Sequence, residues 1–90
     1  MYWEETAYVL ANKIRVRIIE MLGESNKPLT PRQLDKLSNI SLGNISTQLI
    51  ELKKRKLVEC LNPKAKKFRL YVLTDRGKEV LKEVKQMIEV

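Results

Sequence analysis

Histidine is absent from this chain, cysteine occurs once, and no stretch is rich in glycine. Each absence removes a class of chemistry. Without histidine, and with Cys60 as the lone thiol, a nucleophile has no base beside it and a transition metal lacks imidazole and thiolate ligands. No glycine-rich loop is present to cradle a nucleotide phosphate. A single cysteine cannot close an internal disulfide and suits a reducing compartment. The position of Cys60 within an apolar run points to packing rather than redox work. No apolar run approaches the roughly 18 residues that a membrane span needs. Met1-Tyr2-Trp3-Glu4-Glu5 lacks the basic start and apolar middle of a secretory signal. The expectation is a soluble, cytoplasmic, non-enzymatic protein with no metal, no cofactor and no membrane partner.

What is present is a core and a concentrated charge. Ninety residues, 43% of them hydrophobic, suffice for one packed domain spanning 1–90. A domain this small gains from self-association. The net charge is +7, and its distribution is uneven. Residues 53–69 carry Lys53, Lys54, Arg55, Lys56, Lys64, Lys66, Lys67 and Arg69 against Glu59 alone, which already accounts for the whole excess. A localised positive field attracts a polyanion and steers its approach. A lysine-rich solvated face is the bland reading of the same residues. Anionic membrane surfaces fit less well, because no amphipathic anchor helix accompanies the basic stretch.

Periodicity divides the chain into helices and a hairpin. Ala7, Ala11, Ile14, Ile18 and Leu22 recur at helical spacing and predict a first helix over 3–22, with Gly23 as its stop. Asn12-Lys13 is a place where this helix could divide in two. Thr30-Pro31-Arg32-Gln33 combines an N-cap, a first-turn proline and a capping-box partner, predicting a short helix over 31–37 with Leu34 and Leu37 facing inward. After Ser38-Asn39-Ile40, Ser41 caps a third helix over 42–56, whose buried side is Ile45, Leu49 and Leu52. Residues 57–61 and 67–73 read as strands joined by a turn that starts at Asn62-Pro63, with Phe68, Leu70 and Val72 on the buried face of the second. Thr74-Asp75 caps a last helix striped by Val80, Leu81, Val84, Met87 and Ile88. Helix, short helix, tight turn, helix, hairpin, helix is the order of a winged helix-turn-helix domain. The predicted fold class is mainly α with a β-hairpin wing, α-α-α-β-β-α, with room for a short extra strand near 28–30.

In such a domain the second helix of the helix-turn-helix faces a major groove. Stepping about 100° per residue from Ile45 puts Gly43, Thr47, Ile50 and Lys54 opposite the buried side, with Asn44, Glu51, Gln48 and Ser46 at the flanks. Asn44 and Gln48 can pair with adenine, Thr47 offers a hydroxyl and a methyl, and Gly43 permits close approach of the backbone, so these four are the base-contact candidates. Small polar residues at a helix start also cap and face water without touching anything. Backbone-contact candidates are Thr30, Arg32, Ser41, Ser46, Lys54, Lys64, Lys66, Lys67 and Arg69. The cationic hairpin tip suits phosphates or a minor groove.

Three blocks carry a family resemblance. Leu10 to Leu22, with Arg15-Val16-Arg17-Ile18-Ile19, resembles the first block of ArsR-like regulators. Ser41 to Val58 resembles the recognition helix and following strand of ArsR-like and MarR-like winged helices, and Leu73-Thr74-Asp75-Arg76-Gly77-Lys78 is similar to the MarR-like junction between wing and helix. Two positions depart from the pattern: Lys56 stands where glycine is usual, and Asn12-Lys13 stands where Asp-Pro is common. The resemblance implies a cytoplasmic homodimer that binds double-stranded DNA and regulates transcription. Tyr2, Trp3, Tyr8, Val9, Val80, Leu81, Val84, Met87 and Ile88 are the expected dimer interface, formed by the first and last helices. No residues declare an effector site. Two other readings stay open: a non-specific architectural nucleic-acid-binding protein, and a winged helix used for protein interaction, which would favour a neutral wing.

Overall fold

The computed structural model describes residues 2–88. The chain folds as α1 (Trp3–Leu10), α2 (Lys13–Glu24), α3 (Pro31–Ser38), α4 (Leu42–Lys54), β1 (Val58–Cys60), β2 (Tyr71–Leu73) and α5 (Asp75–Ile88). This is the expected winged helix-turn-helix, with the first predicted helix divided in two. Asn12 causes the division. Its backbone is extended, and its side-chain Oδ1 accepts from the backbone N–H groups of Ile14 (2.8 Å) and Arg15 (3.3 Å). Asparagine here serves as an N-cap, as aspartate would. The break resets the helical phase. Ala7 and Ala11, expected inside, are exposed, and Thr6 and Val9 are the buried residues of α1. The buried Thr6 hydroxyl donates to Glu83 Oε2 at 2.7 Å, which ties α1 to α5.

Helix α2 is central and packs against α1, α3, α4, α5 and β2. It buries Ile18, Ile19, Met21 and Leu22. It also runs through Gly23 rather than stopping before it, and the glycine sits against Leu81 of α5, which a side chain there would meet. Helix α3 begins with the predicted capping box: the Gln33 N–H donates to Thr30 Oγ1 (3.2 Å) and the Thr30 N–H donates to Gln33 Oε1 (2.8 Å). It ends at Asn39, whose φ of 61° is the left-handed geometry that asparagine tolerates. Of its two leucines only Leu34 is buried. Leu37, expected inside, is 60% exposed, at the edge of a shallow pocket it shares with Arg17, Met21 and Leu29.

The hairpin pairs Val58 with Leu73, Glu59 with Val72 and Cys60 with Tyr71. Leu29 and Tyr71 exchange backbone hydrogen bonds (3.1 and 2.9 Å), so the extra strand expected near 28–30 exists as a single bridge. That bridge helps set the facing of β2. Tyr71 and Leu73 are buried, opposite to the predicted phase, whereas Phe68, expected inside, is 74% exposed. Phe68 has φ 57°, so the chain is not extended at that point and the alternation starts afresh.

Lys56 occupies the left-handed position after α4 with φ 63°, where the resembled families carry glycine. Its carbonyl accepts from the Thr74 hydroxyl at 2.6 Å, while the Thr74 N–H donates to the Leu57 carbonyl at 3.1 Å. Thr74 Oγ1 also accepts from the Gly77 N–H at 3.0 Å, so one residue joins the end of α4 to the start of α5. A Cβ at Gly77 would run into the Leu57 carbonyl oxygen, and backbone cannot yield as a side chain does. Gly77→Ala is therefore expected to cost about 2 kcal/mol in a denaturant titration. Lys56→Gly should add about 0.5–1 kcal/mol by easing the left-handed backbone.

Candidate nucleic-acid interface

Helix α4 is held by burying Ile45, Leu49 and Leu52, each at most 1% exposed, largely against α2 and α3. Its N-terminus is capped by Ser41, whose Oγ accepts from the Asn44 N–H at 3.4 Å. With that side fixed, Gly43, Asn44, Thr47, Ile50 and Lys54 are exposed on the far side. Nothing lies within 4 Å of a Cβ built on Gly43, so the chain's own packing does not demand glycine there. The Thr47 hydroxyl donates to the Gly43 carbonyl at 2.9 Å, leaving its acceptor capacity and its methyl group unused. Lys54 is 3.5 Å from Glu51, an exposed pair worth little in water. Ser46 is half-buried.

Gln48 departs from expectation. Its Oε1 accepts from Arg15 Nε at 2.9 Å, which draws this proposed base reader into an intramolecular bond. Arg15 also donates from Nη1 to the Tyr8 carbonyl at 2.7 Å and lies 3.6 Å from the centroid of the Tyr8 ring. Arg55, the C-cap of α4, covers the same ring at 3.8 Å. Tyr8 is thus sandwiched between two guanidinium groups, one bonded to the middle of α4 and one standing at its end. The basic residues were legible in the sequence, but a contact spanning 33 positions leaves no periodic trace there.

The wing is organised by Asn62. Its Oδ1 accepts from the Leu70 N–H at 2.7 Å and from the Cys60 thiol at 3.6 Å, and its Nδ2 donates to the Phe68 carbonyl at 3.1 Å. Its own carbonyl accepts from the Ala65 N–H at 3.0 Å, closing the turn. Arg69 Nε donates to the Ala65 carbonyl at 2.8 Å, so part of its guanidinium braces the loop. Lys64, Lys66 and Lys67 are exposed, and among the described residues the single ion pair is the one between Lys54 and Glu51. A cleft of about 440 Å³ joins this wing to the helices: Thr30, Pro31, Arg32, Leu42, Lys67 and Phe68 line it. The cationic wing and the N-termini of α3 and α4 therefore share one surface. A larger cleft of about 720 Å³ is lined by Glu59 and Asp75 as well as Lys27 and Lys78, so its charges balance and it offers a polyanion no net attraction.

The dimer-interface candidates separate into two groups. Val9, Val80 and Val84 have no exposed surface and Leu81 has little, because α1 and α5 pack on each other and close the protomer core. That corrects their assignment to a free interface. Tyr8 is occupied as described, and the Tyr2 ring lies under Arg76 at 5.1 Å. Trp3 (57%), Met87 and Ile88 remain exposed. Among the described residues no group of three acidic, cysteine or histidine side chains could hold a metal, and no helix is long and apolar enough to cross a membrane.

No protein-family model and no curated protein matches the sequence. Solved structures do match. A MarR family transcription regulator superposes with a TM-score of 0.79 at 24% identity, over 93% of this chain and 56% of that one. Apo MarR from E. coli gives 0.72 at 25%, over 93% of this chain and 63% of its own. A MarR family transcriptional regulator from Silicibacter pomeroyi gives 0.73 at 18%, over 98% and 64%. The chain thus has the winged-helix fold of MarR-family regulators, and it spans less than two thirds of the length of these relatives.

The clamp between α2 and α4 has a measurable consequence. In a double-mutant cycle of Arg15→Ala with Gln48→Ala, thermal or denaturant unfolding should reveal a coupling of about 0.5–1.5 kcal/mol. Arg15→Ala alone should cost more than Gln48→Ala, since it also strips one face of the Tyr8 ring.

Proposed function

We propose that this protein is a cytoplasmic, homodimeric transcriptional regulator that binds specific double-stranded DNA, with α4 in the major groove and the wing on the backbone or minor groove. The observation that carries the reading is the shared surface: exposed Asn44 and Thr47 on α4, and on the wing Lys64, Lys66 and Lys67, with no anionic partner among the described residues, joined by the cleft at Arg32 and Leu42. Cations so placed gain by releasing the counterions that DNA holds. Asn44 and Thr47 are the base readers. Thr30, Arg32, Ser41, Ser46, Lys54, Lys64, Lys66, Lys67 and Arg69 serve the backbone. The likeness to solved MarR-family regulators supports the same arrangement. A homodimer would put two α4 helices about 34 Å apart, one turn of DNA, and would use Trp3, Met87 and Ile88, the exposed large apolar residues of α1 and α5.

The engagement of Gln48 by Arg15 favours a second reading, because it leaves only two polar side chains free for base readout. On that reading the protein is a non-specific architectural binder. Selection from random-sequence DNA separates the two. A regulator enriches a pseudo-palindrome, whereas an architectural protein enriches nothing. On a selected duplex, Asn44→Ala and Thr47→Ala should each cost about 1–3 kcal/mol, with smaller losses on random DNA. Lys64→Ala should weaken both DNAs alike and reduce the steepness of the salt dependence by about 1. Equal losses on both DNAs for Asn44→Ala and Thr47→Ala would end the base-reading assignment, and a 10.5 kDa monomer in sedimentation at micromolar concentration would end the dimer.

Gly43 provides an independent check. Gly43→Ala meets open space and improves helix propensity, so stability should rise by about 0.5–1 kcal/mol. DNA affinity should nevertheless fall, because the added methyl group stands where the duplex approaches. Unchanged affinity would mean that α4 does not lie close to DNA at this point.

A further inference from the structure

Phe68 is the most exposed of the large apolar side chains described, and it stands between two cations, Lys67 and Arg69. Three observations indicate that this exposure is built rather than incidental. Its backbone has φ 57°, a conformation that a bulky residue rarely adopts. Its carbonyl is held by Asn62 Nδ2 at 3.1 Å, and the next turn of the wing is fastened by the Leu70 N–H to Asn62 Oδ1 and by Arg69 to Ala65. It also lines the cleft between the wing and the helices, where the other apolar residues are Pro31 and Leu42, the charged ones are Arg32 and Lys67, and none is acidic.

Apolar walls with cations at the rim match one repeating chemical unit, the sugar–phosphate of a nucleic-acid strand. Phosphate oxygens take the cations, and the carbon face of a deoxyribose takes the ring and the leucine. We propose that this cleft seats one strand of the DNA backbone, and that Phe68 packs on a deoxyribose there while Arg32 and Lys67 neutralise phosphates. The proposal rests on the DNA-binding reading above and adds a residue that charge and hydrogen-bonding chemistry do not pick out. An acidic protein partner would also meet the cations, but it offers no regular alternation of apolar and anionic groups to this cleft. Because the contact is made to backbone, it is independent of base sequence.

Backbone contact by an uncharged ring leaves a signature distinct from that of a cation. Burying it adds affinity without releasing counterions, so affinity falls on its removal while the salt slope stays. The probe is a random-sequence DNA duplex of about 30 base pairs, titrated by fluorescence anisotropy across a salt series. Phe68→Ala and Phe68→Gly both remove the ring, but glycine eases the left-handed backbone and alanine does not. Both variants should bind about tenfold more weakly at every salt concentration, with the slope of the wild type. Arg32→Ala and Lys67→Ala should each flatten the slope by about 1. Circular dichroism on each variant checks that the fold is retained.

Affinity within twofold of wild type for both Phe68 variants overturns the proposal and leaves DNA binding intact. A loss with alanine but not with glycine overturns it too, since placement of the loop and not the ring would then matter. A flattened slope in the Phe68 variants does the same, by showing that the ring acts through its lysine neighbours. Failure of the wild type to bind the duplex even at low salt removes the DNA reading itself, a result distinct from all of these.

Discussion

The whole surface depends on one act of burial, the seating of Ile45, Leu49 and Leu52 of α4 on α2 and α3. A helix that hides these three residues has its roll about its own axis decided, and the side turned outward follows without further instruction. Each fully buried aliphatic side chain contributes about 1.5–3 kcal/mol, so a rotation that lifted the seam would cost more than a small domain can supply. The polar contact between Arg15 and Gln48 is a weaker restraint of a different kind. It acts at the margin of the seam, where a hydrogen bond resists small rotations that loose apolar packing would tolerate.

The wing obeys the opposite economy. Its tip has almost no apolar burial, and one side chain, Asn62, meets three partners and accepts the turn through its own carbonyl. An asparagine can do this because it carries a donor and an acceptor within one rigid amide. The arrangement lets Pro63, Lys64, Lys66, Lys67 and Phe68 face solvent while the ends of the loop stay in register. Lysines placed there repel one another in an isolated protein, and the bracing keeps that repulsion from opening the hairpin.

Much of this was legible in the sequence, and the pattern of success is physical. Helix α3 announced itself through Thr30 and Gln33, and α4 through Ser41 and its aliphatic stripe, because caps and periodicity are local signals. The division of the first helix at Asn12 was visible only as an option, since asparagine is equally at home as a cap or in a turn. The facing of β2 was misread. Alternation says which residues share a face and not which face is inside, and here Leu29, some forty positions away, helps to decide it by pairing with Tyr71. The polar face of α4 was read correctly as exposed, yet nothing local separated Gln48 from Asn44. Only Arg15, brought in by the packing of α2, distinguishes them. Leu37 and Phe68 were expected inside from the facing of a short helix and the alternation of a strand, and neither pattern says when a large apolar residue is left in water.

The packing of α1 and α5 bears on the polar side of α4 as well. Val9, Val80 and Val84 lie inside the protomer, and of the large apolar residues on these two helices Trp3, Met87 and Ile88 stay exposed. Helix α1 is nevertheless not remote from α4. Tyr8 belongs to α1, and the two guanidinium groups on its faces come from Arg15, bonded to Gln48, and from Arg55 at the end of α4. Moving α1 by a few ångströms would separate the ring from both cations and withdraw the Tyr8 carbonyl from Arg15. The partner that holds Gln48 would then be free to turn away. The position of α1 and the polar edge of α4 are therefore joined by four short contacts, and neither can shift far without the other.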